Sequence, residues 1–189
     1  MDDGFEPEPR RPSTDTLETQ RLLLRRWTLA DIEPLAEIYA KREVWEYPRH
    51  RGLTHEETEA FVRKQLDHWE RFGFNHFAAC DRESGRLLGM IGIGYPLFLP
   101  DALPHPEIGW RLDPAVWGQG LATEGALATL AWAFDDLGFD RVVSIYEPEN
   151  EASGRVMQRI GMTFERETTI PAHGARVHVY ALDRAGWTP

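Results

Sequence analysis

Apolar residues recur along this chain in two rhythms, and the places where one gives way to the other mark out its elements. Ile32, Leu35, Ile38 and Tyr39 fall at three- and four-residue steps, the spacing of one helix face. Thr28 and Asp31 stand ahead of them as a capping box, and Pro34 is tolerated only in a first turn, so a helix is expected to open near Asp31. A longer helix is expected from Thr54-His-Glu-Glu57, a second capping box. It carries Phe61, Val62, Leu66, Trp69 and Phe72 on one side and stops at Gly73. A long apolar helix over 122–137 ends at Gly138, and a short one over 152–160 ends at Gly161. Strands are expected at 21–27, 74–81, 87–95, 106–112, 141–146, 162–169 and 176–182, with Glu83-Ser-Gly-Arg86 as a hairpin turn. The order β-α-α-β-β-β-α-β-α-β-β predicts one α/β domain built on a mixed sheet, and no segment repeats another.

Composition narrows the choice of function. The 189 residues suit a single domain, and Cys80 stands alone, which excludes an intrachain disulfide or a multi-cysteine zinc site and fits a reducing cytoplasm. The histidines match no metal-ligand spacing, so no metal is expected. A formal charge of −10 argues against a nucleic-acid binder, whose phosphate contacts need a basic patch. No apolar run approaches the roughly 18 residues of a membrane span. Residues 1–16 carry five acids against two bases, a net of −3, with Pro7, Pro9 and Pro12 interleaved. They are expected to form a mobile tail, leaving 17–189 as the folded domain. Residues 96–104 make a proline-rich loop with Leu97, Phe98, Leu99 and Leu103. It reads as a lid over a cleft, as a homodimer contact, or simply as packing on its own domain.

The most informative stretch is Leu112-Asp-Pro-Ala-Val-Trp-Gly-Gln-Gly-Leu-Ala-Thr-Glu124. A strand ends, Gly118 and Gly120 turn the chain, and a helix starts at once. A helix N-terminus presents unpaired N–H groups and partial positive charge, which suits a phosphate, and glycine lets the backbone approach closely. A strand-to-helix turn that uses glycine for shape alone has the same appearance. The better-known phosphate loops fit poorly. No Lys-Ser/Thr follows the last glycine, and the third glycine of a dinucleotide fingerprint is Thr123 here.

This loop resembles the pyrophosphate-binding loop of the GNAT (general N-acetyltransferase) superfamily. Asn150-Glu-Ala-Ser153 with Arg159-Ile-Gly161 resembles the family's downstream helix, and Glu107-Ile-Gly-Trp-Arg-Leu-Asp-Pro114 its preceding strand. Leu17-Glu-Thr-Gln-Arg-Leu-Leu-Leu-Arg25 is similar to the start of the branch that holds the ribosomal-protein N-terminal acetyltransferases of the RimJ and RimL type. The resemblance spans 17–183 and implies the GNAT acyl-CoA N-acyltransferase fold. It also implies acetyl-CoA lying between two splayed parallel strands, 106–112 and 141–146. Pantetheine would pair with the backbone of Trp110, Arg111 and Leu112, and the pyrophosphate would rest on Gly118, Gln119, Gly120, Leu121, Ala122 and Thr123. Asn150 would bond pantetheine or a bound water, unless it is only a helix cap. Two positions depart from the pattern: Ala115 stands where the loop has Gln or Arg, and Met157 where many relatives place the tyrosine that protonates the leaving thiolate.

Acetyl transfer to an amine needs a proton acceptor and a proton donor. Glu107 is the expected base. It shares a strand face with Gly109 and Arg111, beside an apolar cleft that would raise its pKa, although a surface carboxylate paired to a base reads the same way. Ser153 is the expected donor, with a helix cap as its plain alternative. The resemblance also implies that the segment holding Trp45 and Tyr47 lines the acceptor site, so these two are expected to wall it. The function expected is transfer of acetyl to a primary amine, either a protein N-terminus or a small molecule. A CoA-binding module without catalysis is the alternative, since the tyrosine is missing, and an interaction protein using the apolar loop is a third reading.

Overall fold

A computed structural model of the protein describes residues 5–188. Eight strands form one sheet: β1 (Thr16–Glu18), β2 (Leu22–Arg25), β3 (Phe77–Asp81), β4 (Leu87–Gly94), β5 (Glu107–Leu112), β6 (Arg141–Tyr146), β7 (Thr163–Thr169) and β8 (Arg176–Asp183). Their order is β1-β2-β3-β4-β5-β6-β8-β7, and every neighbouring pair is antiparallel except β5 and β6. β1 is the one strand absent from the expected order. At three residues it is too short to show alternation.

Five helices accompany the sheet: α1 (Ile32–Tyr39), α2 (Glu46–Arg49, a kinked turn), α3 (His55–Phe72), α4 (Leu121–Ala131) and α5 (Glu151–Arg159). Both capping boxes form as the sequence predicts. Thr54 accepts the Glu57 N–H while Glu57 returns to the Thr54 N–H, and Gly73 closes α3 in the left-handed conformation. The apolar stretch expected as one helix over 122–137 instead leaves α-geometry at Trp132, and Trp132–Asp136 form a π-turn. Its wider winding brings three consecutive side chains, Trp132, Ala133 and Phe134, into the core, which a regular 3.6-residue turn does not do.

The sheet separates two apolar layers. On one face, Leu121, Ala126 and Leu130 of α4 and Met157 of α5 pack with Leu22, Ile91, Ile108 and Val142. On the other, Leu35 and Tyr39 of α1 and Val62 of α3 pack with Ala78, Cys80 and Met90. The proline-rich loop packs on its own domain: Leu99 and Ala102 are buried against Val143, Val179 and Ala181, and Phe98 stays exposed.

Residues 5–16, expected as a mobile tail, lie along the body instead, while residues 1–4 of that stretch fall outside the described residues. The Phe5 ring meets the edge of Tyr95 at 4.9 Å. Arg10 donates its backbone N–H to Phe72 at 2.8 Å and lays its guanidinium over Phe139 at 4.1 Å. The aromatic rings these contacts cover supply the apolar surface that the segment's own composition lacks.

Candidate active site

The parallel pair β5–β6 is joined at one register position only, Glu107 opposite Val143. The Val143 N–H donates to Pro106 O at 2.9 Å, and the Ser144 hydroxyl donates to Ile108 O at 2.8 Å. A side chain therefore replaces the next backbone donor, and the strands part beyond it. Backbone direction along β5 shows which groups face the gap. Asp113 N–H points back to Leu88 of β4, whereas the carbonyls of Pro106 and Ile108 point to β6. Alternation turns Trp110 and Leu112 to the gap and Arg111 to β4, where it is registered with Met90. The Leu112 carbonyl accepts the Trp117 indole N–H at 2.8 Å. Trp110 is thus left with a free N–H and C=O on the gap side among the described residues. Of the three residues expected to bind pantetheine through their backbone, Arg111 faces the wrong way.

At the end of β5 the chain makes a short turn over Pro114–Val116, held by the buried Asp113 carboxylate. Asp113 accepts the Ala115 N–H at 3.0 Å and Lys41 Nζ at 2.7 Å. Burial raises its pKa, but these partners outweigh that and hold it below the usual range. Gly118 and Gly120 both adopt the left-handed conformation, at φ 75° and 80°, which only glycine takes without strain. No acceptor within the described residues bonds the amides of Gly118 to Thr123 at the start of α4. They form a cradle of free donors at a helix N-terminus, suited to an anion. A clamp from the sheet edge holds this loop in place. Glu124 of α4 accepts the Thr19 hydroxyl at 2.6 Å and Arg21 Nε at 2.7 Å, and Arg21 reaches on to the Gln119 carbonyl at 2.9 Å. The Leu17–Arg25 stretch that carried a family likeness therefore acts on the loop directly.

Glu107 stands at the fork, half-buried, where the two strands part. Burial pushes its carboxyl up to about 8, against the opposing pull of Arg111 and a bond from the Ile145 N–H. Arg111 lies on the same face but turns toward the segment ahead of α3. It bonds the carbonyls of Val44 and Tyr47 and sits 3.9 Å over the Trp45 ring. The expectation that Arg111 contacts the cofactor gives way to a different task, holding the Trp45–Tyr47 wall in place. That wall stacks edge-on with Tyr39 at 5.2 Å, and the Tyr47 hydroxyl donates across to Glu149 O at 3.2 Å. It therefore bridges to the loop that leads into α5.

Asn150 is the N-cap of α5, its side chain accepting the Ser153 N–H at 3.3 Å. Ser153 is therefore not a cap, and its half-buried hydroxyl has no hydrogen-bond partner among the described residues. Met157 is sealed in the core, so no titratable group stands at that position. Arg155 of α5 is exposed and pairs with Glu151. The sequence reading missed His76. Its backbone carbonyl accepts two indole N–H groups, from Trp27 at 3.0 Å and Trp69 at 3.2 Å. Its imidazole lies over Gly94 and Gly109, the latter between Glu107 and Arg111 on β5. The glycines of β4 were the available signal, because bare positions facing each other across a sheet leave room for a large side chain.

Comparison with known proteins agrees with this geometry. The family model described as an acetyltransferase (GNAT) domain matches residues 21–163. The chain belongs to the GNAT acetyltransferases. The N-acetyltransferase YnaD of Bacillus subtilis (strain 168) is 32% identical over 150 residues, covering 79% of this chain and 83% of that protein. A crystal structure of a GNAT-family acetyltransferase from Bacillus anthracis superposes with a TM-score of 0.74 at 27% identity, covering 89% of this chain and 98% of the other. RimL, a ribosomal L7/L12 alpha-N-protein acetyltransferase solved with coenzyme A, shares the fold at a TM-score of 0.72 and 19% identity, over 89% of this chain and 97% of its own. As a GNAT acetyltransferase, the protein is an enzyme on a fold that uses acetyl-CoA.

Proposed function

We propose that this enzyme transfers acetyl from acetyl-CoA directly to a primary amine that enters on the Trp45–Tyr47 side of the sheet. The observation that carries the reading is Glu107, a carboxyl group at the fork of β5 and β6 whose pKa is pushed up to about 8. There it is a base strong enough to take a proton from an ammonium and close enough to the gap to do so beside the thioester. The free amides of Gly118, Gln119, Gly120, Leu121, Ala122 and Thr123 hold the pyrophosphate. Trp110 offers its N–H and C=O to pantetheine as an added strand would. Ser153, whose hydroxyl has no hydrogen-bond partner among the described residues, delivers the proton that the departing sulfur needs. Asn150 acts through Ser153, by capping the turn that carries it. Arg111 and Tyr47 shape the acceptor side, and the carboxylates of Glu147, Glu149 and Glu151 nearby favour an acceptor that arrives as a cation.

Thiol release from acetyl-CoA tests this over a panel of primary alkylamines, an aminoglycoside and tetrapeptides with free Ala, Ser or Met N-termini. Turnover with a small amine and none with the peptides identifies a small-molecule enzyme, and the reverse identifies a protein N-terminal acetyltransferase. Tight binding of acetyl-CoA with no turnover on any member overturns the enzymatic assignment of this site and favours a CoA-binding module.

A further inference from the structure

The nitrogen of a protonated amine must shed two protons on its way to an amide, one before it attacks the thioester and a second from the tetrahedral adduct. Glu107 accounts for the first only. We propose that His76 takes the second, through the imidazole nitrogen that faces β5; this rests on the acetyl-transfer reading above. The balance is then complete. R–NH3+ gives one proton to the Glu107 carboxylate, and the freed amine forms the C–N bond. The R–NH2+ of the adduct gives its second proton to His76 while the C–S bond breaks. The thiolate takes a proton from Ser153, which recovers one from the amine side or from solvent, and one proton is released overall.

The geometry fits this task in three ways. A Cβ added at Gly109 would stand 3.5 Å from His76 Nε2, and one added at Gly94 would stand 2.9 Å from His76 Cε1, so the ring lies over two bare positions of β4 and β5. Gly94 is the cross-strand partner of Glu107, and Gly109 is two residues along from it on the same face, which places the imidazole on the face of the sheet that carries the Glu107 carboxyl. Both indole bonds fix the His76 carbonyl, while neither ring nitrogen has a hydrogen-bond partner among the described residues. The titratable groups that act on the ring are Lys64 and His68 from α3 and Arg111 from β5. Burial with the nearby positive groups pushes His76 down to about 3, which keeps it neutral and able to accept.

The test uses His76→Gln and His76→Ala with the fastest amine of the panel above. Both variants are expected to lose about 10²-fold in kcat, with the Kd for CoA within twofold of wild type and the rise in rate near pH 8 preserved. Added imidazole is expected to restore His76→Ala several-fold, because removing the ring leaves a hole of its shape over the two glycines. A kcat for His76→Gln within twofold of wild type overturns the proposal and leaves the function standing. So does a loss that tracks a fall in Tm and is not rescued by imidazole. Failure of the wild type to acetylate any amine overturns the underlying reading instead.

Discussion

Glu107 ties activity and stability to the same proton. Its carboxyl is raised from an ordinary 4.5 to about 8, so the basic form grows in as pH rises through that value. The kcat/KM of the wild type is expected to climb with pH up to about 8 and then level off. Glu107→Gln is expected to lose roughly 10²–10⁴-fold and to show no such rise. Wild-type kcat/KM retained by Glu107→Gln at every pH removes the base from the mechanism. Stability runs the other way. A folded-state pKa above the unfolded one contributes stability that is complete below about 4.5 and is lost as pH rises through 8. Glu107→Gln is therefore expected to match the wild-type Tm near pH 5 and exceed it near pH 9, where a half-buried carboxylate no longer has to be ionised. Calorimetry at the two pH values checks it. Arg111 makes a different claim. Its two carbonyl partners and the Trp45 ring need a planar fork, which lysine lacks. Arg111→Lys is expected to raise the acceptor KM about tenfold and to leave the acetyl-CoA KM unchanged. A shift confined to acetyl-CoA contradicts the placement of Arg111 on the acceptor side.

At the scale of elements, the helices and strands with explicit start and stop residues were legible, and the features that depend on partners distant in sequence were not. Thr54, Glu57 and Gly73 act within a turn or two of their own positions, so α3 could be read to its ends. The π-turn after α4 is set by the core that Trp132, Ala133 and Phe134 enter, and no local spacing announces it. His76 carries meaning only because Gly94 and Gly109 face it across strands. The clamp on the Gly118–Gly120 turn is of the same kind. Glu124 looks like an ordinary first-turn acid until Thr19 and Arg21 are seen to meet it. Its burial raises its pKa, and those partners bring it back below the usual value, which keeps the clamp charged at neutral pH. Arg21→Ala frees the Gln119 carbonyl and leaves Glu124 with a single side-chain partner. The acetyl-CoA KM is expected to rise about threefold to tenfold, as the loss of a partly exposed charge-assisted contact implies, with kcat changed less than twofold. Steady-state kinetics at saturating amine checks this, and an unchanged acetyl-CoA KM means the loop holds its shape without the clamp.

Over the whole molecule the formal charge is −10, while the loop proposed to meet the anionic co-substrate offers neutral backbone amides. The acidic surplus misled in one respect, because a proline-rich, charged N-terminus reads as chain with nothing to bury. What it uses is surface belonging to others. Phe5 fits beside Tyr95, the Arg10 guanidinium covers Phe139 and bonds the Leu137 carbonyl at 2.5 Å, and the Ser13 N–H reaches Asp136. These contacts join the ends of α3 and of the π-turn, two elements far from each other in sequence. One cation–π contact, a partly buried aromatic ring and two or three hydrogen bonds together contribute roughly 2–3 kcal/mol after the cost of ordering the segment. For a domain of this size each kcal/mol moves Tm by about 2–4 °C. Deleting residues 1–13 is therefore expected to lower Tm by about 5–10 °C, while the Kd for CoA and the kcat of the folded fraction stay within twofold, since the segment touches neither the amide cradle nor the fork. Arg10→Ala alone is expected to account for a third to a half of that loss. If the truncated chain melts with the full-length one, residues 5–13 contribute no net stability. If it melts together but loses CoA binding, the segment belongs to the site rather than to the scaffold.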